Sequence, residues 1–165
     1  MALLTVCGRR DDRAAGYTFI EIAIVSAIIA ILASAIMPLV RVTLQRERET
    51  ALRRDLRDIR TAIDKFKDAA DLNRIAATQL QPANEGYPPT LQTLVDGVPV
   101  ANDTTGQLLK FLRRVPVDPM THSTEWGLRS VQDAPDATAW GGQNVFDVHT
   151  TNDGVALDGT RYRDW

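Results

Sequence analysis

From Ile22 to Val40 the chain runs for nineteen residues without a formal charge, and Glu21 stands directly before the run. As a helix rising 1.5 Å per residue, the run spans roughly 28 Å, close to the hydrocarbon thickness of a bilayer. It is longer than most secretory h-regions. It also passes into Arg41 and a strongly helical pattern, where a cleaved secretory signal would place small residues. A buried core helix is the competing reading, but a chain of 165 residues could hardly enclose it on every side. A membrane-spanning helix is therefore expected.

Two details distinguish this run from a plain anchor. Ala23, Ala27, Ala30 and Ser34 recur along one helical face. Such a stripe lets helices approach closely in lipid, or it reflects only how common alanine is in these helices; both readings stand. Pro38 cannot donate to the Ser34 carbonyl, so a local kink or loosening is expected.

Glu21 needs an explanation, because an unpaired carboxylate at a membrane edge costs free energy, and more when drawn inward. Either it rests among lipid headgroups or it meets a cation. The leader Met1 to Gly16 ends in Ala14-Ala15-Gly16. A cut after Gly16 would free an α-amino group on Tyr17, one helical turn from Glu21. Between neighbouring copies, the amine of one could meet the carboxylate of the next. That pairing offsets burial only inside a bundle, so it favours an assembled state.

The string "GYTFIE" followed by an apolar run resembles the class III signal of type IV pilins and type II secretion pseudopilins. In that family a prepilin peptidase cuts after the glycine and N-methylates the new terminus. The resemblance implies that Gly16 is the cleavage-site glycine and Tyr17 the first mature residue, where phenylalanine is usual. It implies that Glu21 is the assembly glutamate and that Pro38 falls where the family often has proline. The expected organisation is a leader over 1–16, a transmembrane and assembly helix over 17–40, and a soluble pilin-like domain over 41–165. Counting Lys and Arg, with Arg41, Arg46, Arg48, Arg53 and Arg54 after the run, would put the C-terminal side in the cytoplasm. The resemblance implies the opposite orientation, and it is followed here.

The domain begins with a helix over 41–72. Leu52, Leu56, Ile59, Ile63 and Phe66 mark one apolar stripe, and neither proline nor glycine lies between Pro38 and Pro82. Continuity with the apolar run is expected. Glu49 with Arg53 is a favourable i,i+4 pair; Arg54–Asp58, Arg60–Asp64 and Lys67–Asp71 have the less favourable order. Acidic residues interleave with the arginines and the whole chain carries a net charge of −2, so no nucleic-acid partner is expected.

The second half is rich in turns. "YPPTLQTLV" reads as a turn and a short helix capped by Thr90, and "TTGQLLKFLRRVPVDPMT" as another short helix ending before Pro116. "EWGLRSV" and "NVFDVHT" are strand candidates, and the tail carries two Asp-Gly turn signals. The expected fold class is α+β, with a small antiparallel sheet packed on the stripe of the long helix. "YPPTLQTLV", "FLRRVPVDPMT" and "FDVHTTNDG…RYRDW" resemble stretches of the major pseudopilin of type II secretion. That family binds Ca²⁺ in its C-terminal loop. The resemblance implies a calcium site at Asp153 and Asp158, helped by carbonyls around Thr150 and Val155. Ordinary Asp-Gly turns are the competing reading.

Catalytic signatures are missing. His122 and His149 have no metal-ligand spacing, and Cys7, the single cysteine, lies in the leader. Asp55 and Asp58 read as surface ion pairs with flanking arginines. The expectation is a non-enzymatic filament subunit. The resemblance implies as partners further copies of itself, a prepilin peptidase, an inner-membrane assembly platform, minor pseudopilins and membrane lipid. It implies a single-pass protein of the bacterial inner membrane with a periplasmic domain, later part of a periplasmic or extracellular filament.

Overall fold

The computed structural model describes residues 17–103, 105–134, 137 and 139–165; of these, the side chains of 35–39 lie outside the description. Helix α1 runs Phe19–Asp71. The chain divides into two units at the Arg41–Val42 boundary. In the first unit, the large apolar side chains from Phe19 to Leu32 are all half or more exposed.

The second unit is built around the apolar stripe of α1. Leu52, Leu56, Ile59, Ile63 and Phe66 are each at most 2% exposed. The 3.6-residue period places them on one face, and burial of each side chain contributes roughly 1.5–3 kcal/mol. Ala62, Ala69 and Ala70 extend the buried face. The helix ends in a Schellman turn. Asn73 adopts φ 52°, its amide donates to Ala70 O, and the Arg74 amide donates to Ala69 O.

Two single-turn 3₁₀ helices follow, Ala77–Gln79 and Pro82–Asn84. Helix α2, Leu91–Asp96, starts where Thr90 Oγ1 accepts the Thr93 amide, as the sequence led one to expect. It stops at Gly97, with φ 87°, where a Cβ would lie 2.9 Å from Leu109 O. Strands β1, Val98–Pro99, and β2, Leu108–Leu109, pair antiparallel, with Val98 opposite Leu109.

The segment read as a second short helix before Pro116 thus carries strand β2, and no helix forms among its described residues. Three contacts hold it extended: the β1 ladder, the donation of both the Phe111 and Leu112 amides to Leu94 O, and the Phe66–Phe111 ring contact at 5.2 Å. Tertiary pairing outweighs the local helical pattern.

Strands β3, Gly127–Arg129, and β4, Asp147–His149, fall inside the two expected strand segments and pair antiparallel, with Leu128 opposite Val148. The sheet is therefore two separate two-stranded ladders among the described residues. Val145, Val148 and Trp126 are buried with the α1 stripe. Trp126 Nε1 donates to Pro116 O at 3.0 Å, and the Val145 amide donates to Pro88 O at 2.8 Å. These bonds tie the Tyr-Pro and Pro-x-Asp-Pro segments to the ladder. The α+β class and the long N-terminal helix match the expectation.

Candidate functional site

The start of α1 is set by Thr18. Its hydroxyl accepts the Glu21 amide at 3.3 Å, and its carbonyl accepts the Ile22 amide at 3.2 Å. Thr18 is thus the N-cap, and Glu21 sits at the third helical position, the Thr-x-x-Glu spacing of a capping box. That spacing is legible in the sequence itself. A carboxylate in the first helical turn also faces the positive end of the helix dipole, worth about 0.3–1 kcal/mol. Glu21 therefore has an intrachain role whatever it meets outside.

Tyr17 is exposed; Gly16 lies outside the described residues. In the small-residue stripe, the Ser34 hydroxyl donates to Ile31 O at 2.7 Å, so it presents no unmet donor. The helix continues through the position of Pro38, whose side chain lies outside the described residues. Among the described residues, no helix is long and apolar enough to cross a membrane. The run Ile22 to Val40 includes 35–39, whose side chains are among those not described.

A second arrangement ties the last part of the chain to α1. Gln45, Glu49, Arg53 and Arg60 follow one another along the helix and all reach the C-terminal segment. Glu49 Oε1 accepts the Tyr162 hydroxyl at 2.9 Å and the Leu157 amide at 2.9 Å. Gln45 donates to Glu49, to the Tyr162 oxygen and to Val155 O. Arg53 pairs with Asp158 at 2.9 Å, its guanidinium 4.0 Å from the Trp165 ring centroid. Arg60 donates to Asp147 at 2.7 Å, to Val148 O at 3.0 Å and to Trp165 O at 2.6 Å.

Tyr162, 5% exposed, is the apolar anchor of this latch; burial pushes its hydroxyl pKa upward. A short 3₁₀ turn, Tyr162–Asp164, carries it. The expected Glu49–Arg53 pair is replaced by these long-range partners, and Arg60 takes Asp147 in place of Asp64. Only Lys67–Asp71 forms as the helical spacing suggested.

Of the two aspartates expected to hold calcium, Asp153 pairs with Arg163 at 3.2 Å and is largely exposed. Asp158 caps its own turn. Its Oδ1 accepts the Thr160 amide and hydroxyl, which together with Arg53 hold its carboxyl below the usual range. Thr150 is fully buried, and its hydroxyl donates to the equally buried Asp118. Asp118 also accepts the Met120 amide at 2.7 Å. Among the described residues, no group of three or more His, Cys, Asp or Glu could hold a metal ion.

His149 is half-buried, and burial, aided by Arg129 and Arg163, lowers its pKa from 6.5. A Cβ on Gly127 would lie 2.3 Å from its Nε2, so the glycine makes room for the imidazole. Asp55 and Asp58 border an open groove of about 700 Å³ that also touches Arg46, Arg54, Leu112 and Arg114. Neither aspartate forms the expected ion pair; burial and Asp58 push the Asp55 pKa up.

Residues 11–37 match the prokaryotic N-terminal methylation motif. The chain carries a type IV pilin-like prepilin signal. The matched stretch takes in Gly16, Tyr17, the Thr18 cap, Glu21 and most of the apolar run. It implies a prepilin peptidase substrate and pilus-like assembly. No curated protein and no solved structure matches the chain.

Proposed function

We propose that this protein is the structural subunit of a pseudopilus, the major pseudopilin of a type II protein secretion system, and that it polymerises through its N-terminal helix. The observation that carries this reading is the methylation motif over 11–37, set at the start of a 53-residue helix. In this reading Ile22 to Val40 crosses the bacterial inner membrane once and the domain lies in the periplasm. A prepilin peptidase cuts after Gly16, and the methylated amine of Tyr17 neutralises Glu21 of a neighbouring copy as helices bundle. An inner-membrane platform and minor pseudopilins assist assembly, and no catalytic role is assigned.

The motif is shared by pili and pseudopili, so a type IV pilus subunit is supported by the same observation. A tethered binding module that never polymerises is the reading to exclude. Intact-mass measurement of the native protein tests the proposal: a chain beginning at methylated Tyr17 is expected, and one that retains residues 1–16 contradicts it. Glu21→Ala should abolish filaments while the domain melts unchanged. Filament yield equal to the parent would remove Glu21 from assembly.

A further inference from the structure

We propose that the C-terminal loop of this protein is closed by arginines where a divalent cation was expected, so that its structure is independent of calcium. The claim concerns the loop alone and does not depend on polymerisation.

Calcium takes six to eight oxygen ligands, and carboxylates must be free to face it. Neither aspartate is free in that sense. Asp153 is paired with Arg163. Asp158 spends Oδ1 on Thr160 and Oδ2 on Arg53. Nearby, the Val155 carbonyl accepts from Gln45 at 3.5 Å, and Thr150 is fully buried with its hydroxyl turned to Asp118. A cation entering here would have to displace two guanidinium groups and then remain near them, at the cost of like-charge repulsion.

Other contacts already fix the loop. The Ala156 amide donates to Thr160 O at 2.8 Å, which closes the turn that contains Gly159. Gly159 has φ 86°, and no atom lies within 4 Å of where its Cβ would stand, so the turn depends on backbone freedom and not on close packing. Ala156 and Tyr162 are buried on either side of that turn. Arg53 is held twice, by Asp158 and by the Trp165 ring. A guanidinium suits this double role, because its plane stacks on an aromatic face while its edge donates to a carboxylate. The positive charge that a cation would bring is thus already present on α1 and on the closing 3₁₀ turn.

Hydrogen exchange of the full chain in detergent, followed at residues 153–165, tests the proposal. Exchange in excess EGTA and in calcium chloride should superimpose, and the melting temperature should move by less than about 1 °C. Arg53→Ala should speed exchange around Leu157 to Arg161 roughly three- to tenfold, as expected for local opening, and added calcium should not restore protection. Should that variant fail to fold, Asp153→Asn, at a position 79% exposed, removes the other pair without touching the core; it should give a smaller acceleration, again insensitive to calcium. Calcium that slows loop exchange in the parent protein, or raises its melting temperature by several degrees, overturns the proposal. So does either variant exchanging at the parent rate.

Discussion

Between Phe19 and Leu32 the large apolar side chains of α1 face every direction and stay half or more exposed, whereas between Leu52 and Phe66 they keep to one face and are sealed. Residues of similar hydrophobicity on one helix thus meet opposite fates. The later set finds its partners within the chain, in Leu94, Val98, Val145, Val148 and Tyr162. The earlier set has no such stripe and stays exposed. A helix that is apolar on all sides is stable only where every side is covered. Pattern, and not hydrophobicity alone, separates the segment that folds the domain from the apolar run that precedes it.

Matched truncations give the sharpest contrast. Phe66→Ala should cost the domain about 3–5 kcal/mol, through lost burial and a cavity against Phe111, read as a fall in the midpoint of denaturant unfolding. Ile28→Ala, in the earlier set, should leave that midpoint unchanged. Equal losses from the two would break the comparison. Next in size is Arg60→Ala. It strips donors from Asp147, Val148 O and Trp165 O at once, and a hydrogen-bonded charge of this kind is worth about 1.5–3 kcal/mol. Thermal melting should register the loss, and exchange should rise at Trp165 before it rises in α2.

The smallest effect is a pH dependence confined to the domain. The folded-state pKa of His149 lies below 6.5, so the unfolded chain binds more protons as the pH falls past that value. Stability is then fully present above about pH 6.5 and declines below it, towards the folded-state pKa. Denaturant midpoints should follow that decline, and His149→Gln should flatten it. A decline of equal depth in the variant would assign it to the carboxylates instead.

The sequence revealed elements whose signal is local. The stripe of α1 is visible because its period is helical, Thr90 because a cap acts three residues away, and β3 and β4 because turn residues bound them. Arginine partners were hidden for the opposite reason. Glu49 and Arg53 look like a helical pair, yet their partners lie 105 to 113 residues further along the chain. Burial of Asp118 was equally illegible, since carboxylates are almost never fully buried without partners and those partners, Thr150 and the Met120 amide, are set by the fold. Thr18 differs: its capping of the Glu21 amide is local, and the Thr-x-x-Glu spacing shows it directly. The methylation motif was legible because it is linear, whereas the arginine partners of Asp153 and Asp158 were not, because a cation site and a guanidinium partner leave the same acidic trace in sequence.

In the proposed filament the exposed apolar part of α1 is covered by other copies of the chain. Electron cryomicroscopy of filaments sheared from the native cells tests it most directly. The account predicts a helical polymer whose axis is a bundle of residues 17–41 from many copies. Dispersed monomers, or a polymer whose contacts spare residues 17–41, would contradict it.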